Sequence, residues 1–194
     1  MEHIPIVAEE VCRQAQDFLD LEIHGVNGFC DPHQESVFAR QLLVELQRQR
    51  GVPQDKDLCF PHLQYSLSHS KGFCWALYSP QALGLGFDIE KLRPLAVGAL
   101  RFFAEDQEKE LLPDLESSSD LRLQLWTAKE ALFKADMKNE GRRLRHYRVV
   151  SWPTVSSPGR ARCLLDQQEF EFMSLQQNGW ALAVAVRRDL SENS

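Results

Sequence analysis

The stretch Leu83–Glu90 reads L-G-L-G-F-D-I-E. Its odd positions, Leu83, Leu85, Phe87 and Ile89, are apolar, which predicts a β-strand with one buried face. The other face carries Gly84, Gly86, Asp88 and Glu90. On a strand Asp88 and Glu90 point the same way, roughly 6.5–7 Å apart at Cα. Two like charges that close repel unless something positive lies between them. Hard oxygen ligands in this arrangement suit Mg²⁺, which commonly takes one or two carboxylates plus substrate phosphates. The neighbouring glycines would let a ligand approach the backbone. The same pair also fits a strand whose polar end runs into solvent.

Upstream, Tyr65–Ser70 (Y-S-L-S-H-S) alternates in the same way, Lys71-Gly72 makes a turn, and Phe73–Tyr78 returns. With Leu83–Ile89 after the Ser79-Pro80 turn, this predicts a three-stranded antiparallel meander. Ser68, His69 and Ser70 at the hairpin tip offer hydroxyls, an imidazole and turn amides suited to a phosphate; serine is also simply a good turn residue. Gln34–Arg50 predicts a helix through Val37, Phe38, Leu42, Val44 and Leu46, ended by Gly51 and Pro53, with Arg40 on or beside its polar side. Val7–Leu21 fits a short helix or strand, Gly25–Pro32 reads as a loop, and so does Asp55–Pro61.

Downstream, Pro94 leads into an expected helix over Ala96–Leu112, then a polar linker, Pro113–Ser119. Asp120 is the expected N-cap of a helix over Leu121–Lys138. On it Leu121, Leu125, Ala128 and Leu132 take core spacing, and Trp126, Glu130 and Lys134 form an adjacent stripe. Gly141 is the expected stop. Strands follow at His146–Ser151, Ala161–Leu165, Gln168–Leu175 and Trp180–Arg187, the last two joined by an Asn178-Gly179 hairpin turn. Arg142, Arg143, Arg145 and Arg148 form a basic cluster that suits an acidic partner or a solvated patch. Ser191–Ser194 reads as a frayed tail. The order of elements predicts an α+β fold with two halves, residues 1–94 and 95–194.

The 194 residues carry a formal net charge of −6, with 43% hydrophobic and 26% charged residues. This is the profile of a soluble globular protein, and it argues against a nucleic-acid partner. No apolar run approaches the ~20 residues of a membrane span, and the N-terminus lacks a signal-peptide pattern. Five cysteines without C-x-x-C spacing give no zinc site or disulfide framework, so a cytoplasmic setting is expected.

Three segments stand in order: S-L-S-H-S at 66–70, G-F-D-I-E at 86–90 and W-T-A-K-E-A-L-F-K at 126–134. Together, and with Phe102-Phe103, they resemble the 4′-phosphopantetheinyl transferases, in particular the larger, pseudo-dimeric surfactin-type branch. The likeness runs from about Arg40 to Val150. It implies two similar α+β halves, each a small antiparallel sheet packed with helices, with the active site between them. It implies a transferase of the holo-[acyl-carrier-protein] synthase type. Such an enzyme moves the 4′-phosphopantetheine arm of coenzyme A to a serine of an apo acyl or peptidyl carrier protein, releasing adenosine 3′,5′-bisphosphate, with Mg²⁺ as cofactor. By this resemblance Asp88, Glu90 and Glu130 would hold Mg²⁺, and Lys134 would pair with the attacked phosphate. Arg40, Ser66, Ser68 and His69 would bind coenzyme A, and one chain would suffice.

Some positions depart from the family pattern, among them the glycine pair after the last helix, reduced here to Gly141. Where the family often has a glutamate four residues after the second Phe, this chain has Gln107, flanked by Glu105 and Glu108. Glu108 is then the expected base for the carrier serine, or Glu130 acts through a water. The usual G-K-P before the S-H-S strand is absent; Leu58–Leu63 reads L-C-F-P-H-L, with Lys56 as a substitute. These departures motivate an alternative, a non-catalytic coenzyme A- or carrier-binding module. Without the resemblance, D-x-E with E-x-x-x-K also suits a metal-dependent phosphodiesterase.

Overall fold

The computed structural model describes residues 4–19, 21–55 and 58–188. Lys56 and the Ser191–Ser194 tail lie outside the described residues. Helix α1 (Ile4–Leu19) leads to strand β1 (His24–Phe29) and helix α2 (Glu35–Gln49). The hairpin β2 (Tyr65–Ser70) and β3 (Phe73–Tyr78) precedes β4 (Leu85–Lys91). Helices α3 (Leu100–Phe103), α4 (Asp106–Leu111) and α5 (Ser119–Ala135) follow. The chain then forms β5 (Tyr147–Ser151), β6 (Gly159–Cys163), β7 (Glu169–Gln177) and β8 (Trp180–Arg187).

These strands make two antiparallel sheets, ordered β1-β3-β2 and β4-β8-β7-β6-β5. The α+β class expected from the sequence is therefore the observed one. Two tight turns are fixed locally. Lys71 and Gly72 both have positive φ, at 53° and 82°, and so do Asn178 and Gly179, at 51° and 83°. Paired positive φ values are what a two-residue hairpin needs to match strand twist.

The structure corrects four expectations. β4 is not the third strand of a meander; it pairs with β8, Phe87 opposite Val184 and Asp88 opposite Ala183. Alternation reveals which face is buried but not which strand lies alongside. The expected loop Gly25–Pro32 contains β1, paired with β3 from His24–Tyr78 to Phe29–Phe73. Its glycines are packing devices: a Cβ at Gly25 would collide with the Trp75 indole, and one at Gly28 would crowd the Phe38 ring. The helix expected over Ala96–Leu112 is broken into α3 and α4, because Ala104 and Glu105 are extended. Finally, α5 is capped by the Ser118 hydroxyl, which accepts from Leu121 N–H, and it ends at Ala135, well before Gly141.

One apolar layer runs under both sheets. Phe87 and Ile89 of β4 join Phe73, Trp75 and Leu77 of β3, Leu182 and Val184 of β8, and Ala15 and Leu19 of α1. Burying each large side chain contributes about 1.5–3 kcal/mol, so this layer holds the sheets edge to edge. On their opposite faces α2 packs through Ala39, Leu42, Leu43 and Leu46 onto the first sheet. Helix α5 packs through Ala128, Ala131 and Leu132 onto the second. The two helices therefore flank a crease above the line where β2 runs beside β4.

Candidate functional site

Gly84 and Gly86 set the height of α5 over β4. A Cβ on Gly86 would fall on the carbonyl oxygen of Ala131, and one on Gly84 on that of Ala135. The expectation that these glycines admit a ligand is corrected: they admit the backbone of α5. This close approach brings Glu130 and Lys134, one turn apart on α5, to the face of β4 that carries Asp88 and Glu90.

Lys134 is the hub of the contacts. Its Nζ donates to Asp88 Oδ1 at 2.7 Å, to the Phe87 carbonyl at 3.1 Å and to Ser68 Oγ at 3.2 Å. Ser68 Oγ in turn donates to the same Asp88 Oδ1 at 2.9 Å. Asp88 is buried, and its Oδ2 has no hydrogen-bond partner among the described residues. Glu90 accepts from Ser70 Oγ at 3.1 Å and lies 3.9 Å from Arg93 Nη2.

Burial, then the neighbouring charge of Asp88, pushes the Glu130 carboxyl up to about 7, against the pull of Lys134. The same two causes, in the same order, raise Glu90, opposed by the Ser70 hydrogen bond and by Arg93 and Lys134. The three carboxylates thus repel one another, and one ammonium does not balance them. Among the described residues no three acidic, histidine or cysteine side chains converge tightly enough to hold a metal as they stand. The donor set nevertheless suits a hard divalent cation: all oxygens, excess negative charge, and a buried carboxylate oxygen with nothing bound to it.

Beside this group lies a cleft of about 490 Å³, lined by Arg40, Ser66, Ser68, His69, Asp88 and Lys134 together with Phe60, Pro61 and Phe133. Six of the residues singled out in the sequence therefore share one cavity. His69 Nδ1 is 2.8 Å from Glu35 Oε2, and the other Glu35 oxygen accepts from Gly72 N–H. Glu35, in the first turn of α2, thus fixes the imidazole, a role that its position alone did not reveal. Arg40 Nη1 donates to the Leu58 carbonyl at 3.0 Å, and its guanidinium sits 5.7 Å from the Phe60 ring centre. The L-C-F-P segment standing in place of G-K-P is thereby a wall of the cleft.

Glu108 is not at this site. It is wholly buried; Oε2 accepts from Glu105 N–H at 2.7 Å, and Oε1 accepts from Val149 N–H at 2.7 Å. Oε1 also lies 2.6 Å from Lys129 Nζ, itself wholly buried. That ammonium makes no well-directed hydrogen bond among the described residues, and the contact is an ion pair. Both oxygens of Glu108 are committed and its side chain is wholly buried, outside the lining of the cleft where the sequence reading expected it to act as a base. The signal was present: Glu105-x-x-Glu108 has the spacing of a capping box, which the structure shows.

Comparison with known proteins agrees with the geometry. The family model described as the 4′-phosphopantetheinyl transferase superfamily matches residues 84–185, more than half of the chain, and the chain belongs to that superfamily. Two relatives are both from Bacillus subtilis. The 4′-phosphopantetheinyl transferase ffp is 32% identical over 90 residues, covering 45% of this chain and 38% of its own length. The 4′-phosphopantetheinyl transferase Sfp, of strain 168, is 31% identical over 111 residues, covering 53% of this chain and 48% of its own. The matched region thus spans less than half the length of each relative. These likenesses accord with the surfactin-type resemblance. Among the described residues no helix is long and apolar enough to cross a membrane.

Proposed function

We propose that this protein transfers the 4′-phosphopantetheine arm of coenzyme A to a serine of an apo carrier protein. The observation that carries the reading is the pairing of Lys134 with Asp88 at the floor of the cleft, with Asp88 Oδ2 left unpartnered beside Glu90 and Glu130. The serine oxygen attacks the phosphorus that bears the pantetheine arm. A phosphodiester P–O bond forms, the pyrophosphate P–O bond breaks, and adenosine 3′,5′-bisphosphate leaves. Asp88, Glu90 and Glu130 are the residues that would hold Mg²⁺, which when bound neutralises charge on the phosphate oxygens.

The rest of the work falls to side chains of this chain. Lys134 sets a positive charge against the attacked phosphate. His69, oriented by Glu35, and Arg40, held against Leu58 and Phe60, take the remaining phosphates of coenzyme A, with Ser66 and Ser68 in the same wall. Because Glu108 is committed elsewhere, the serine proton passes to Glu130 through a water. We take the division into halves 1–94 and 95–194 as part of this reading, with β4 lent by the first half to the sheet of the second. A single chain carries every group invoked, so a monomer suffices; a cytoplasmic setting, where coenzyme A and carriers meet, completes the proposal.

The test is intact-mass measurement of an apo acyl carrier protein and an apo peptidyl carrier protein after incubation with the protein, coenzyme A and Mg²⁺. A gain of one phosphopantetheine per carrier, lost with Glu130→Ala, is expected. Coenzyme A binding with no gain on either carrier would make the protein a non-catalytic binding module instead.

A further inference from the structure

β4 has one edge paired with β8, while its other edge faces β2 without a backbone ladder: the two strands belong to different sheets. Three amides of that edge nonetheless find acceptors. Phe87 N–H donates to Ser66 Oγ at 2.8 Å, Ile89 N–H to Ser68 Oγ at 3.2 Å, and Lys91 N–H to Ser70 Oγ at 3.4 Å. Three serines at alternate positions of one strand meet three amides at alternate positions of the next. A hydroxyl has one donor and two acceptor lone pairs, so each can accept from β4 and still give its own proton. Ser68 gives it to Asp88 at 2.9 Å and Ser70 to Glu90 at 3.1 Å. A side chain, rather than a hydrogen-bonded backbone, therefore sets the gap between the sheets, and that gap underlies the crease.

We propose that Ser66, Ser68 and Ser70 form a hydroxyl stitch that joins the two sheets, and that Ser70 is a positioning residue for Glu90. Unrestrained, a half-buried glutamate near the end of a strand samples several rotamers; the Ser70 hydroxyl holds one of them on the Asp88 side of β4. The second clause rests on the reading of Asp88 and Glu90 as cation ligands. The first clause does not depend on that reading. Alanine at any of the three positions would take the acceptor from a strand-edge N–H, and at 68 or 70 would also remove a hydroxyl donor from a carboxylate.

Two measurements on the full chain separate these clauses. Mn²⁺ alone is titrated and followed by the electron paramagnetic resonance of the free ion. Ser70→Ala is expected to bind about 10-fold more weakly than the unaltered protein, as for other residues that orient metal ligands, while Ser70→Thr, which keeps the hydroxyl, stays within about twofold of it. Ser70→Ala binding at full strength, or Ser70→Thr as weak as Ser70→Ala, overturns the positioning role. Absence of Mn²⁺ binding in the unaltered protein sinks the cation reading and the positioning role with it. The stitch itself is read by amide hydrogen exchange without metal. Phe87 and Ile89 amides are expected to exchange slowly although no backbone accepts from them; fast exchange at both overturns the stitch.

Discussion

Helix α5 carries two lysine–carboxylate pairs, five residues apart, and they do opposite things. Lys129 meets Glu108 at 2.6 Å and Lys134 meets Asp88 at 2.7 Å. The contact distances are nearly equal, but the surroundings differ. Both side chains of the first pair are 0% exposed, whereas Lys134 is 29% exposed. Every oxygen of Glu108 is committed, to Glu105 N–H, Val149 N–H and Lys129; one oxygen of Asp88 is open among the described residues, and the charge of Asp88 acts on both Glu130 and Glu90. The sealed pair fastens α4 and β5 to α5. The open pair stores uncompensated negative charge at the edge of a cleft. A charged pair indicates a site only when it keeps unused bonding capacity and a route to solvent.

Breaking the sealed pair should have the largest effect on stability. Glu108→Ala strands a buried ammonium and two amides, and unfolding in urea should show a loss of about 3–5 kcal/mol, unchanged by Mg²⁺. A loss below about 1 kcal/mol would mean that water reaches this pair. Next is the open group. The fold holds the Glu130 carboxyl up to about 7 from 4.5, so it favours the neutral form, and ionisation there costs stability. That cost is absent below pH about 4.5 and complete above pH about 7. Without metal, Glu130→Gln should match the unaltered protein near pH 4.5 and exceed it by about 2–3 kcal/mol at pH 8. Equal stabilities at both pH values would show Glu130 to be well solvated. The smallest effect belongs to Lys134→Ala, which among the described residues leaves Asp88 with the Ser68 hydroxyl as its side-chain donor. It should cost about 1–2 kcal/mol in metal-free protein, and Mg²⁺ should recover most of that loss. Recovery of Glu108→Ala as well would erase the distinction between the two pairs.

The same contrast explains what could be read from the sequence. The strands 65–70, 73–78 and 180–187 were legible to the residue because alternation and turn residues are local signals, and the nearness of Asp88, Glu90, Glu130 and Lys134 followed from the family resemblance. Two features were not legible, and the signal for a third was not local to the residue it concerns. β1 reads H-G-V-N-G-F, with no alternation, because its glycines answer to Trp75 and Phe38 across the fold. The partner of β4 is decided by the β8 edge, nearly a hundred residues on. Glu108 was expected at the site because it flanks Gln107, where the family often has a glutamate, yet Lys129 falls on the core face of α5 beside Leu125, Ala128 and Leu132. A lysine in an apolar stripe requires a buried acid; that requirement was the missed clue to its partner.

The most direct test of the open and sealed assignment is the rate of phosphopantetheine gain on an apo carrier, per folded molecule, for Asp88→Ala and Glu108→Gln at a temperature where both are folded. Asp88→Ala should lose transfer by at least about 10²-fold, the scale of removing one electrostatic stabiliser of a transition state, while Glu108→Gln keeps the rate of the unaltered protein. Transfer retained by Asp88→Ala and lost by Glu108→Gln would contradict the assignment and return the base to Glu108.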